Sequence, residues 1–378
     1  MKTPICEKLG IEYPIFAFSH CRDVVAAVSK AGGLGVLGAV AFSPEELERE
    51  LVWIDEHVDG KPYGVDTVMP AAYLGKDQGD LGKIDLQAMI PDEHKEFIKG
   101  LLERYGVPEL PAGQNAWESL LGWSVSAGRA HVEIAMKHPI KLLANALGPP
   151  PEDVVERAHS AGVLVAALCG SVDQAVKQKE AGVDIVVASG YEAGGHTGDI
   201  SSLVLVPQVV DAVAPTPVLA AGGIGSGRQM AAALVLGASG VWTGSLWLAT
   251  AESDCVPALK EKLIAATSRD TVRSKCISGK PARQLKTAWT DAWDGADSPG
   301  TLPMPLQWMA TSEALTRIYQ HAQTRKPGSA QLLGTPVGQI VGQISQMKPA
   351  REVVRELVEG SLDAVERASQ ILGLSDAD

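Results

Sequence analysis

The nine residues Gly190-Tyr191-Glu192-Ala193-Gly194-Gly195-His196-Thr197-Gly198 concentrate four glycines around a single histidine. Helix and strand interiors do not tolerate that glycine density, so the segment is a sharply bent loop whose backbone a ligand can approach closely. It displays one imidazole, His196. With an ordinary pKa near neutrality, histidine can take or give a proton at working pH. The competing reading is a histidine that only hydrogen-bonds a loop carbonyl. Glu192 sits in the same turn, and its carboxylate suits anchoring the loop by accepting backbone N–H groups better than it suits a general base. Two more glycine turns follow, Ala221-Gly222-Gly223-Ile224-Gly225-Ser226-Gly227 and Thr243-Gly244-Ser245. Such turns offer backbone N–H groups to an anion, and the helix opening near Ser226 adds a favourable dipole. The chemistry implied is a phosphate-anchored cofactor beside one proton-handling histidine.

These turns end three short apolar runs, Ile185–Ala188, Val218–Ala221 and Gly240–Thr243, with helical patterns at Leu203–Val213 and Gln229–Leu236 between them. Strands this short and apolar are buried on both faces, as in a parallel sheet. The same rhythm runs from the start of the chain. Pro14–Phe18, Gly35–Gly38, Tyr63–Met69, Ile140–Asn145 and Val163–Leu168 read as strands; Asp23–Ala31, Pro44–Asp55, Pro150–Ser160 and Val172–Ala181 read as helices. Eight strands alternating with helices predict an α/β fold, a (β/α)8 TIM barrel. Its active site lies at the C-terminal ends of the strands, and a phosphate site lies after strands seven and eight. Residues 1–69 and 139–252 form the predicted barrel. Residues 70–138 show no strand pattern and read as a helical insertion after strand 3, with helices at Glu93–Tyr105 and Trp117–Lys137, the latter including barrel helix 3. It is either a lid over the site or a peripheral excursion. Residues 253–378 show no further strand alternation. They read as a C-terminal helical cap, with helices at Pro257–Ala266, Ser312–Gln323 and Arg351–Ile371 and a Pro- and Trp-rich connector from Trp289 to Trp308.

Other candidates carry less. Gly33-Leu34-Gly35-Val36-Leu37-Gly38 spells G-x-G-x-x-G, but it follows a helix and enters a strand, the reverse of a dinucleotide fingerprint. Cys169 at the end of strand 5 reads as small packing rather than a nucleophile. Lys141 reads as a solvated residue at the bottom of the barrel. The net charge of −12 argues against nucleic acid or an anionic membrane as partner. The five scattered cysteines predict free thiols in a reducing, cytoplasmic setting. No His, Cys or carboxylate cluster has metal-ligand spacing, and no apolar run reaches the ~18 residues of a membrane span. The oligomeric state is left open, a homodimer included.

The three blocks, strand–G–x–E–A–G–G–H–x–G, A–A–G–G–I and G–A–x–G–V–x–x–G–S, stand here in order, and together they resemble the nitronate monooxygenase family of flavin barrels. Weaker matches extend over nearly the whole chain. The resemblance implies non-covalent FMN, an alkyl nitronate substrate oxidised by O₂, and His196 as catalytic base toward neutral nitroalkanes. It implies that Gly222, Gly223, Gly244 and Ser245 hold the FMN phosphate, that Gly194 and Gly195 shape the cofactor loop, and that Ala17, Phe18 and Ser19 approach the isoalloxazine ring. Asp66, Asn145 and Ser189 would face the cofactor from strand ends. Ala17-Phe18-Ser19 replaces the family's Ala-Pro-Met, Asp66 its asparagine, and Ser189 its glutamine. An ionised Asp66 cannot donate a hydrogen bond as an asparagine does. The FMN enoyl-reductases share the same blocks, so the alternative is reduction of an enoyl thioester with NAD(P)H. Arg273, Lys275, Lys280 and Arg283 would then offer a local basic cluster for CoA phosphates. A third reading is a flavin-holding protein without catalysis.

Overall fold

The computed structural model describes residues 2–71, 86–110, 125–324 and 327–374. Eight parallel strands close into a barrel: Ile15–Ser19 (β1), Leu34–Gly38 (β2), Tyr63–Val68 (β3), Leu142–Ala146 (β4), Leu164–Cys169 (β5), Ile185–Ser189 (β6), Val218–Ala221 (β8) and Gly240–Thr243 (β9). The missing number belongs to Gly195–His196 (β7), a two-residue strand in the loop after β6. The barrel shuts where β9 pairs with β1, with Ala17 opposite Thr243.

Alternation along the strands builds two cores. Phe16, Val36, Ala144, Ala166, Val187, Leu219 and Trp242 fill the barrel interior, and Ile5, Cys6 and Leu9 of Pro4–Leu9 (α1) join them. The intervening residues, among them Ala17, Leu37, Val65, Leu143, Val165 and Val186, pack outward against the surrounding helices. Those helices are Arg22–Lys30 (α2), Pro44–His57 (α3), Val125–Ala135 (α5), Glu152–Ser160 (α6), Val172–Glu180 (α7), Ser202–Val213 (α8) and Gly227–Val235 (α9). The start of α3 follows from sequence: Ser43 and Glu46 exchange side-chain-to-backbone bonds and Pro44 opens the helix.

Asp92–Arg104 (α4), in the stretch between β3 and β4, packs away from the barrel. Its Ile98, Leu101 and Leu102 join a separate core with Pro257–Ala265 (α10), Ala288–Trp293 (α11), Leu306–Ala322 (α12) and Pro327–Leu332 (α13), centred on Trp289 and Trp293. The helix expected over 117–137 is present from Val125; residues 117–124 lie outside the described residues, as do 72–85 of the same insertion. The chain ends in Ala350–Leu372 (α14), packed on α9.

The region after residue 251 departs from an all-helical cap. Thr271–Ser274 (β10) and Ala282–Leu285 (β11) form an antiparallel hairpin, and β11 pairs with β7, placing Ala282 opposite His196. The expected connector from Trp289 also begins as helix, in α11. Among the described residues no helix is long and apolar enough to cross a membrane, and no group of three or more His, Cys, Asp or Glu is placed to hold a metal. All five cysteines are free.

Candidate active site

The carboxyl ends of the strands open into a cavity of about 1270 Å³. That exceeds the roughly 300–1,000 Å³ of an ordinary small-molecule site and leaves room for a cofactor and a substrate together. Inward-facing aromatics meet at its base: the Phe18 ring of β1 stacks on Trp242 of β9 with centroids 6.3 Å apart.

One wall is the loop after β6. Ser189 ends the strand, buried on the cavity. Glu192 then turns away to the start of α8, where its Oε2 accepts the Ser202 N–H at 2.9 Å and lies 3.0 Å from Ser202 Oγ. A carboxylate at a helix N-terminus is favoured by the helix dipole, so Glu192 is a loop anchor. Just before it, the Tyr191 ring meets two guanidinium groups, with Arg283 4.5 Å and Arg273 5.2 Å from the ring centroid. Gly195 and His196 follow as β7. His196 is half-buried on the cavity, and its Nε2 lies 2.7 Å from Oγ of the buried Ser278. Burial first, and the nearby Lys280 second, lower its pKa from 6.5 to about 4. The imidazole is therefore neutral at physiological pH, the form that accepts a proton.

The other wall is the pair of turns after β8 and β9. Gly222 and Gly223 adopt left-handed φ values of +87° and +73°. A Cβ on Gly222 would fall 2.9 Å from that of Ala193. Among the described residues no acceptor meets the Gly223 N–H. Gly244 and Ser245 adjoin them, and Ser245 Oγ accepts the Gly338 N–H at 2.8 Å. A backbone cradle with an unspent N–H beside a large cavity fits a phosphate-bearing cofactor. The dipole expected from the helix near Ser226 is not part of it. Ser226 and Gly227 do not line the cavity; Ser226 Oγ bonds Gln229, and Gly227 is pressed against Gly360 and Ser361 of α14.

Asp66 projects inward from β3, 5% exposed, with no hydrogen-bond partner for Oδ1. Burial alone raises its carboxyl pKa to about 7. Below about pH 7 the carboxyl is therefore mainly protonated, and in that form it can donate a hydrogen bond.

Phe18, Ser19, Asp66, Ser189, Gly194, Gly195, His196, Gly222, Gly223, Gly244 and Ser245 all line the cavity. Two expected residues do not. Asn145 occupies an outward position of β4; its Oδ1 accepts the Met69 N–H at 2.9 Å and its Nδ2 donates to the Gly148 carbonyl at 2.9 Å, tying together the loops after β3 and β4. Ala17 also faces outward, into the core beneath the helices. Both errors are of parity: on a strand, one residue's offset exchanges the two faces.

Of the basic cluster, Lys280 lines the cavity while the two arginines turn to the loop after β6. Arg283 is buried and donates to the Tyr191 carbonyl and Thr271, while Arg273 pairs with Asp199 and donates to the Thr197 carbonyl. The Cys169 thiol is pushed up to about 12 by burial, consistent with packing. Lys141 is exposed ahead of β4, at the opposite end of the barrel. Sequence reasoning missed Ser278, carried on the hairpin connection, and His20, just past β1, and gave Lys280 only as one of a basic cluster; all three line the cavity. A lone histidine two residues past a predicted strand end was the available signal for His20.

Comparison with known proteins agrees with this geometry. The model of the nitronate monooxygenase family matches residues 2–360. A Mycobacterium tuberculosis protein provisionally named a monooxygenase is 52% identical over 383 residues, covering 99% of each chain. Among solved structures, the nitroalkane oxidase from Streptomyces ansochromogenes is 26% identical with a TM-score of 0.79, covering 97% of this chain and 99% of its own. FabK from Thermotoga maritima is also 26% identical, with a TM-score of 0.73 over 98% of this chain and 99% of its own. The chain belongs to the nitronate monooxygenase family of oxidoreductases.

Proposed function

We propose that the protein is an FMN-dependent nitronate monooxygenase. The observation that carries this reading is the joint presence, on one cavity, of the Gly222–Gly223 cradle and a neutral histidine held from behind by Ser278. In this reading the N–H groups of Gly223, Gly244 and Ser245 bind the FMN phosphate, while Phe18 and Trp242 supply an apolar surface below the flavin. Bound FMN would supply the electron transfer from the substrate to O₂. The residues do the rest. The neutral imidazole of His196, steadied by Ser278, accepts the α-proton of a neutral nitroalkane. Lys280, half-buried on the same wall, favours the negative charge that then develops on the nitro group. Asp66 in its protonated form offers a hydrogen bond to the bound cofactor. A substrate supplied as the nitronate bypasses the proton transfer. The test is oxygen uptake and nitrite release on adding ethyl nitronate to the FMN-loaded protein; no uptake overturns the reading.

A second reading, reduction of an enoyl thioester by NAD(P)H, is favoured by the similarity to FabK over nearly the full chain. Weighing against it, Arg273 and Arg283 already donate to carbonyls of the loop after β6.

A further inference from the structure

His20 lies on the cavity wall just past the end of β1 and has no part in the proposed chemistry. Its Nδ1 is 2.9 Å from the Gly38 carbonyl oxygen. A carbonyl only accepts, so Nδ1 carries the ring proton and Nε2 keeps its lone pair. Among the described residues Nε2 meets no partner. The ring is seated by design of its neighbours. Phe18 packs edge-on at 5.1 Å between centroids. A Cβ on Gly38 would fall 2.6 Å from both Nδ1 and Cε1 of His20. The last glycine of the G-x-G-x-x-G run thus leaves room for this imidazole and for the Phe18 ring, 2.9 Å from the same position.

The surroundings favour a neutral resting ring. The ring is exposed at the open cavity; desolvation by the protein around it lowers its pKa, while the bond to the Gly38 carbonyl and the charge of Asp254, which also lines the cavity, act in the opposite sense. Cys21, next in the chain, is kept as a thiol by burial. Phe18 and Gly38 carry no charge. Around the barrel β1 is separated from β6 by β9 and β8, so His20 and His196 reach the cavity from different sides.

We infer that His20 is a second proton-accepting group of the cavity, taking a proton at Nε2 when an anionic or acidic head group of the nitronate class binds, and then pairing with it. The proton comes from the ligand's own acid form or from solvent; no carbon bond and no electron moves. The inference rests on the cavity being a substrate site, as proposed above.

The experiment uses protein labelled with ¹⁵N-histidine, loaded with FMN and freed of oxygen, and titrates it with nitrite. His20→Phe keeps a ring in place and removes both nitrogens, so it identifies the His20 signals among the eight histidines. Without nitrite, His20 should show one protonated and one unprotonated nitrogen. On saturation, both should be protonated. His20→Phe should weaken nitrite binding by roughly tenfold or more, as expected for losing a hydrogen bond to a charged group. Gly38→Ala, which displaces the ring without touching its nitrogens, should do the same and should add little to His20→Phe. A His20 that stays neutral while nitrite binds, or a response confined to His196, overturns the inference and leaves the functional reading intact. Failure of nitrite to bind overturns it too, and oxygen uptake with ethyl nitronate then decides the functional reading independently.

Discussion

Nε2 of His196 lies 2.7 Å from Oγ of Ser278, a residue 82 positions later in the chain. The contact joins the loop after β6 to the hairpin β10–β11, beside the pairing of His196 with Ala282. The hairpin is therefore part of the site. His196→Asn should slow turnover of neutral nitroalkanes by ~10²-fold or more, within the range for loss of a positioned base. Ser278→Ala should keep the fold and slow the same reaction by about tenfold, through the ring orientation. Both losses should be smaller with preformed nitronate. Steady-state oxygen uptake with the two substrate forms checks this, and equal losses on both forms would count against a proton-transfer role.

The depressed pKa of His196 sets an acid limb. Because burial and Lys280 hold it at about 4, the base form persists well below the ordinary histidine range. The rate with neutral nitroalkane should fall through pH 4, not pH 6.5, and Lys280→Met should move the limb upward. The stability sign follows from the same shift. Between pH 6.5 and about 4 the unfolded chain binds more protons at this site than the folded one. The stability gained by a neutral His196 is thus complete above 6.5 and lost as pH falls through 4. A pH–rate profile of wild type and Lys280→Met measures the first part.

Asp66 predicts the opposite slope. Its folded pKa is raised from 3.8 to about 7, so the folded state binds more protons between these values and stability falls as pH rises through that window. Asp66→Asn removes the buried charge. It should raise the melting temperature at pH 8, by a stabilisation of up to about 4 kcal/mol, and leave it nearly unchanged at pH 4. Thermal unfolding of cofactor-free protein across pH 4–8 checks this. Identical pH slopes for both proteins would contradict the assignment of a lone buried carboxyl.

The barrel was legible because its strands are short apolar runs cut off by glycine, as at Val218–Ala221 before Gly222 and Gly240–Thr243 before Gly244. The hairpin was not. Thr271–Ser274 and Ala282–Leu285 carry Arg273 and Arg283, whose charges are absorbed by Asp199 and the Tyr191 ring only in the folded chain. Asn145 and Ala17 sit one residue from inward positions, and periodicity in a strand buried on both faces does not mark which face is the interior. His20 gave only its place past a strand end; its neighbours Gly38 and Phe18 meet it through tertiary structure.

The proposed phosphate cradle contains two left-handed glycines, Gly222 and Gly223. Gly223→Leu should strain the backbone at φ +73° and intrude on the cradle, giving a folded protein that no longer retains FMN. Wild type should be yellow and release FMN, not FAD, on denaturation. The flavin spectrum of each supernatant reads this directly, and a Gly223→Leu protein that binds FMN normally would remove the cradle from the account.

The most direct test of the functional claim is anaerobic mixing. The FMN-loaded protein is mixed without oxygen, once with NADPH and once with ethyl nitronate, while the flavin absorbance is followed. A nitronate monooxygenase draws its electrons from the substrate itself, whereas a reductase must be reduced by NADPH; in this chain the G-x-G-x-x-G run seats His20, and Arg273 and Arg283 bond to the loop after β6. The account predicts that ethyl nitronate bleaches the flavin and NADPH leaves it oxidised. Rapid bleaching by NADPH, reversed by an enoyl-CoA, would contradict it and establish the reductase reading instead.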